Sequence, residues 1–288
     1  MTWLTWRIER TALLSAAALV VVFGLTALLL GAHDSSDMNT ARTLLELGPA
    51  AFATVVAVFW GAPTVAREYE QRTYLLVWSR DRPATRWLAL RVGHLLAPLV
   101  VLTVGVNVIA NLLQVKLLST LQSTPAVGPF DYDLWLPLQL LTVIAGFGLG
   151  VLVGTLVRNS VLAMGITLVG YVVLRFVMVL FVRPYLVPPV RLLDRAPVPP
   201  GSIAAGTGYL NQAGGQLSMP DVQRMCPFNS PADYDQCLAH SGITHEYLDV
   251  EPAYRISDVQ LIELGIYVAL AVVVFAAAWL VLRRRTVS

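Results

Sequence analysis

Residues 135–182 read WLPLQLLTVIAGFGLGVLVGTLVRNSVLAMGITLVGYVVLRFVMVLFV. Two apolar runs, 135–157 and 160–182, are parted only by Arg158-Asn159. Each is about 20 residues long, enough for a helix to cross roughly 30 Å of hydrocarbon. Four more runs of this kind lie at 11–31, 47–65, 92–114 and 261–282. The charges between them fix an orientation. With a cytoplasmic amino terminus, the inner segments hold Arg7 and Arg10, then Arg67, Arg72, Arg80, Arg82, Arg86 and Arg91, then Arg158, then Arg283, Arg284 and Arg285. The short outer loops hold only Arg42 and Lys116. That is the positive-inside asymmetry. It predicts an all-α, multi-pass protein of the bacterial cytoplasmic membrane, with six transmembrane helices and both termini in the cytoplasm.

Composition agrees. Hydrophobic residues make up 56% of the 288 and charged residues 13%, about half the charge content of soluble domains. Nineteen arginines against one lysine read as codon bias of a GC-rich bacterial genome and not as a nucleic-acid surface. The first run is too long for a signal-peptide core, and Gly31-Ala32 is a poor cleavage site, so it reads as a retained span. The soluble remainder is a cytoplasmic loop at about 66–91 and an outer segment at about 183–258. Neither is large enough for an independent enzyme domain.

Residues 1–10, with Trp3, Leu4, Trp6 and Ile8 beside Arg7, Glu9 and Arg10, read as a short helix lying in the headgroup layer. The loop after the second run begins Ala66-Arg67-Glu68-Tyr69-Glu70-Gln71-Arg72 and continues to Trp78. Tyr74, Val77 and Trp78 recur at helical spacing, while Glu68, Glu70, Arg72 and Arg80 fall on a polar face. Asp81-Arg82-Pro83 ends that helix. Two readings fit: a solvated connector with weak ion pairs, or a helix that docks a partner. The loop's length and aromatic content favour docking.

Within the fourth run, Gly146, Gly150 and Gly154 are spaced four apart, with Gly148 between. Small residues at this spacing let helix backbones approach closely in lipid. A phosphate-binding glycine loop needs a strand–turn–helix context, which a mid-membrane position lacks. Asn107, Asn111 and Gln114 share one face of the third run. Arg175 lies about 10 Å below the outer end of the fifth. An intramembrane charge marks a pathway or a bundle interior, or snorkels to the headgroups. Asn107, Asn111 and Arg175 are therefore the translocation-pathway candidates, with interhelical hydrogen bonding the simpler role for the asparagines.

The outer segment holds ten of the seventeen prolines and both cysteines, Cys226 and Cys237. Two cysteines outside the cytoplasm read as one disulfide. The competing reading adds His240 and His245 as a zinc site, but the cysteine spacing is too wide for a zinc finger. The chain has no P-loop lysine motif, no second histidine after His245-Glu246 for a zinc-protease helix, and no Gly-x-Ser-x-Gly elbow. No metal site and no catalytic constellation emerges, which points to transport or binding and away from enzymology.

With these residues in view, the chain resembles the permease subunits of ABC-2-type (ATP-binding-cassette) exporters. Its most specific stretch runs from Gly61-Ala62-Pro63 through Ala66-Arg67-Glu68-Tyr69-Glu70 to Trp78 and Arg86-Trp87-Leu88. Gln71-Arg72-Thr73 stands where such relatives have a Gly-Thr step, and Trp78-Ser79-Arg80 where they have Trp-Thr-Gln. A second stretch is similar, Pro252-Ala253-Tyr254-Arg255 with Gln260 and Glu263-Leu264-Gly265-Ile266-Tyr267. The resemblance implies one transmembrane domain over 1–288, an elbow helix at 1–10 and a coupling helix within 66–91. Arg67, Glu68, Tyr69, Glu70, Arg72 and Trp78 would then meet a separate ATPase subunit, which binds ATP and Mg; this chain binds no cofactor. It further implies a homodimer in a 2:2 complex, embedded in membrane lipids, that exports a lipophilic or amphiphilic small molecule, lipid or peptide. The alternative is an ABC-type complex that senses or gates a membrane partner without net transport.

Overall fold

The computed structural model describes residues 38–71, 84–120, 131–194, 196–199, 202–227 and 231–287 and, within the first apolar run, 14, 17, 18, 20 and 21–28. The expected elbow helix at 1–10 and the loop residues 72–83, Arg72 and Trp78 among them, lie outside the described residues. The chain is mostly helical. In order it runs α1 (Met38–Val55), a π turn (Val56–Gly61), α2 (Ala62–Glu70), α3 (Ala84–Thr120), a 3-10 turn (Asp131–Leu134), α4 (Leu136–Leu156), α5 (Ser160–Val177), a second π turn (Met178–Val182) and α6 (Arg183–Leu186). Then follow β1 (Val190–Leu193), β2 (Ile203–Asn211), β3 (Gln216–Leu217), α7 (Met219–Met225), α8 (Pro231–His240), β4 (Ile243–Glu251) and α9 (Ala253–Val287). Five helical stretches among the described residues are long and apolar enough to cross a membrane: Thr43–Glu70, Ala84–Lys116, Leu136–Leu156, Ser160–Val182 and Tyr254–Arg284. They match the second to sixth predicted runs, the fourth falling one residue short at each end. Of the first run, residues 21–28 are helical, with Phe23 and Ala27 buried in the core of the span bundle.

The chain divides into two compact units, one of residues 1–122, 130–180 and 260–288, the other of 123–129 and 181–259. In the first, α4 is the hub. Its apolar window is 61% buried, against 22% for the spans of α5 and α9. Glycine makes this possible. A Cβ on Gly146 would come within 2.7 Å of the Tyr171 ring on α5, and one on Gly148 within 2.8 Å of Val274 on α9. A Cβ on Gly150 would lie 2.7 Å from the Ala62 backbone nitrogen, and one on Gly154 would strike the Ala62 carbonyl. Three neighbours thus pack against α4 through positions that tolerate no side chain.

The π turn ahead of α2 has a local cause. Pro63 carries no N–H and cannot continue the α ladder, and the ladder widens before it, with the Ala62 N–H donating to the Ala57 carbonyl. The Thr64 hydroxyl donates back to the Trp60 carbonyl. The widened turn brings Gly61 against Phe147, where a Cβ would lie 2.6 Å from the carbonyl oxygen. On the far side, Val161, Val169 and Phe176 of α5 and Val272 and Val273 of α9 are exposed, the apolar surface a hydrocarbon solvent requires.

The outer segment at 183–258, expected as a long extracytoplasmic loop between the fifth and sixth spans, is instead folded in the second unit. It is a four-stranded antiparallel sheet in the order β1-β4-β2-β3. Tyr209, Val222 and Ile243 form its small core, with Leu217, Tyr234 and Leu238 packed against them. The β2–β3 turn is held by Asn211, whose Oδ1 accepts from the Ala213 and Gly215 N–H groups at 3.1 and 2.6 Å, while Gly214 supplies the left-handed residue at φ 76°. Ser218 caps α7. Cys226, buried at the end of α7, is joined by a disulfide to Cys237 of α8, with Cα atoms 5.7 Å apart. His245 instead pairs with Asp194 at 2.6 Å, so the structure does not build the Cys/His zinc alternative.

Two outcomes are expected. Gly150→Val should destabilise the protein by about 1–3 kcal/mol through overpacking. Gly165→Ala, with nothing near its Cβ position, should be neutral or gain up to about 1 kcal/mol in helix propensity; thermal unfolding of the purified chain measures both. Replacing Cys226 and Cys237 by serine should cost about 3 kcal/mol for a loop of this length, and mass spectrometry of unreduced wild-type protein should find the two linked.

Candidate functional site

The spans have an arginine-bearing end, where α2 stops and α5 starts, and an opposite end, where α4 starts and α5 stops. Polar side chains gather at both.

At the arginine-bearing end, the last turn of α2 is tied to two other spans. Glu68 accepts from Arg91 of α3 at 2.5 Å, and Arg91 also lies over the Trp87 ring at 5.2 Å. Glu70 Oε2 accepts the backbone N–H of Ser160, the first residue of α5, at 3.2 Å. A carboxylate there satisfies an orphan donor and suits the positive end of the helix. Asn159 caps the same terminus, its Oδ1 accepting from the Leu162 N–H at 3.0 Å. Arg158 lies over Tyr69 at 5.8 Å. Of the predicted coupling residues, Glu68, Tyr69 and Glu70 thus make contacts within the chain, and Arg67 sits in the last turn of α2.

At the opposite end, Arg175 turns into the protein and is only 9% exposed. It forms an ion pair with Asp133 in the 3-10 turn before α4. It also donates to the Tyr267 hydroxyl of α9 at 2.8 Å and lies over that ring at 5.9 Å. One side chain therefore joins three elements. Tyr171, one turn before Arg175, donates to the Thr142 carbonyl of α4 at 3.3 Å. Glu263, one turn before Tyr267, is fully buried.

The asparagines make a second junction. Asn107 Nδ2 donates to Gln139 Oε1 at 2.7 Å and to the Leu134 carbonyl at 2.8 Å. Asn111 Nδ2 bonds Asn107 at its backbone carbonyl and Oδ1, and the Leu134 carbonyl at 3.3 Å. Asn107 and Asn111 therefore join α3 to the start of α4, and Asp133, next to Leu134, brings Arg175 to the same corner. The glycines Gly146, Gly150 and Gly154 serve close packing, as described above.

Sequence reasoning passed over Asp133, Gln139 and Ser160, and named Glu263 and Tyr267 only within the stretch that resembles the family and Arg91 only as an inner arginine, with no site role for any of them. Asp133 precedes an apolar run and reads as part of a loop. Gln139, Tyr267 and Glu263 lie inside or beside spans, where a polar residue is itself a signal. The described residues contain no group of three or more acids, histidines or cysteines placed to hold a metal ion.

Residues 31–183, just over half of the chain, match the model of a family described as "ABC-2 membrane transporter related". That match takes in the second to fifth spans and both polar ends of α5. Comparison with curated proteins and with solved structures gives no match.

Removing one member of the Arg175–Asp133 pair strands a buried charge, at a cost of roughly 3–5 kcal/mol, whereas replacing both by apolar residues is often close to neutral. Arg175→Leu and Asp133→Leu should each lower the unfolding midpoint, and the double variant should recover most of the loss. Additive effects in this double-mutant cycle would show that the pair does not act as a unit.

Proposed function

The chain belongs to the ABC-2 membrane transporter related family, and from that membership we propose that it is the permease subunit of an ATP-driven exporter. Its cargo is a lipophilic or amphiphilic small molecule, lipid or peptide taken from the cytoplasm or inner leaflet. ATP and Mg bind to a separate ATPase subunit, two of which sit under two copies of this chain. The chain itself is non-catalytic.

The observation that carries this reading is the bonding of α2 to α5. Glu70, at the root of the loop proposed to enter the ATPase, holds the first residue of α5. Arg175 lies 15 residues further along that helix, about 22 Å away at the helical rise. A displacement of the loop passes through Glu70 to α5 and arrives at the Arg175–Asp133 pair. Glu68 fixes the same turn of α2 to α3, so two spans move with it. A rigid-body shift of packed helices of this kind switches which side of a bundle is open.

One observation favours a second reading. The 181–259 unit has its own core, sheet and disulfide, more than a connector between spans needs. A folded unit there suits a complex that senses or gates a membrane partner without net transport.

Reconstitution with the ATPase subunit tests the leading reading. Glu68→Ala/Glu70→Ala should insert into membranes normally and still bind the ATPase, but should lose most coupled transport while ATP turnover persists. Normal transport by that variant would remove both carboxylates from the coupling route, and failure to bind any ATPase would remove the exporter assignment.

A further inference from the structure

The buried face of α5 is polar at regular intervals. Ser160, Ala163, Thr167, Tyr171 and Arg175 are its buried residues, all but one bearing a polar group, and from Ala163 onward they recur every four positions. The Thr167 hydroxyl is fully buried and has no hydrogen-bond partner, whereas Ser160 sits against the Glu70 carboxylate. On α4, beside Tyr171 and its Thr142 contact, the Gln139 Nε2 donor is also buried without an acceptor, its Oε1 already engaged by Asn107. Unmet donors inside a protein are costly, and each calls for an explanation. Thr167 shares the α5 face that ends at Arg175, and Gln139 belongs, through Asn107, to the network at Leu134, next to Asp133.

The Arg175–Asp133 pair sets the sign of what could bind at that end. Opening the bundle at this end separates α5 from α9 and from the turn holding Asp133, so Arg175 must leave both Asp133 and Tyr267. A buried guanidinium without a counter-charge is strongly unfavourable. Its planar fork is satisfied by a carboxylate, phosphate or sulfate in two-pronged fashion. An anion arriving at Arg175 lowers the cost of opening by taking the place of Asp133; a neutral or cationic group leaves the arginine bare.

We propose that the Arg175 end of the α5 stripe binds the headgroup of the cargo and that this headgroup is an anion, which replaces Asp133 on Arg175. The proposal rests on the transport reading above and names its substrate class, an anionic amphiphile. The Thr167 hydroxyl and the Gln139 amide are unmet donors that become available as the bundle parts. Asp133 closes the site when it is empty.

The test is equilibrium binding of phosphorus-labelled dodecyl phosphate to the full chain, purified in a non-ionic detergent. Saturable binding is expected. Dodecyltrimethylammonium should not compete. Competition by dioleoyl phosphatidic acid identifies a membrane lipid as the source of the anion, and competition by dodecyl sulfate alone identifies a single-chain amphiphile; either supports the site. Arg175→Gln should weaken binding about tenfold or more, the loss of one charge-assisted contact. Asp133→Asn, which keeps Arg175 and removes its competitor, should tighten binding by a similar factor and serves as the deciding variant if the glutamine form does not fold. Unchanged or weaker binding by Asp133→Asn, equal competition by the cationic amphiphile, or wild-type affinity in a folded Arg175→Gln protein overturns the proposal. Co-purification with the ATPase is scored separately. Binding without an ATPase sinks the exporter reading and leaves the anion site standing; an ATPase-coupled chain that ignores the anion does the reverse.

Discussion

The close approach of α4 to the second span is the constraint on which the rest of the helical unit depends. Lipid offers no hydrophobic drive for helices to associate, so contact must come from packing and from polar groups that find each other. Gly150 and Gly154 face the backbone at Ala57, Gly61 and Ala62, and the π turn before Pro63 presents that backbone. Once the two helices meet there, Gly146 and Gly148 bring in Tyr171 of α5 and Val274 of α9 on other sides of α4. Five of the polar groups discussed, Asn107, Asp133, Gln139, Thr142 and Arg175, are in reach of one another's networks because α4 is thin enough for its neighbours to close in.

Within that packing, the charged side chains described above gather at the two ends. At one, Glu68, Glu70, Arg91 and Arg158 act on exposed or half-buried helix ends, where an ion pair contributes little energy but defines which helix moves with which. At the other, Arg175 and Asp133 are buried, and their pairing is costly to break. The asymmetry is mechanical in effect. Under the proposed coupling, the geometry-setting contacts would sit where a partner pushes, and the buried Arg175–Asp133 pair would sit where the bundle opens.

Much of the helical unit is legible from hydropathy. Runs of about 20 apolar residues have few alternatives, and the arginine asymmetry orders them. The close packing of Gly146, Gly150 and Gly154 is readable from their spacing, although Gly146 meets Tyr171 of α5 while Gly150 and Gly154 meet the second span. The partners of Arg175 are not. Asp133 lies outside any apolar window, and Tyr267 is 92 residues further along the chain. Pairing at that separation is decided by which spans touch, which no local pattern records. The bond from Glu70 to the Ser160 N–H crosses 90 residues and involves a backbone donor that every residue but proline has. The 181–259 unit was obscured by composition. Its prolines mark loops, and the glycines at 206 and 208 weaken the alternation in β2 that would have announced a sheet.

The distribution of unmet polar groups bears on why an arginine is kept in such a costly place. If Arg175 served stability alone, an apolar contact of equal volume would serve as well or better, and the unmet Thr167 hydroxyl would have no reason to share its helix face. A polar stripe that is incompletely satisfied when the bundle is closed penalises the closed state and favours any state in which a polar cargo or water reaches it. On the proposed reading, Arg175 and Asp133 would offset that penalty by pairing at the end of the same helix face. The group that strains the closed bundle and the pair that closes it would then share α5, and a switch between two packed states needs such a balance: each state must contain a contact that the other lacks.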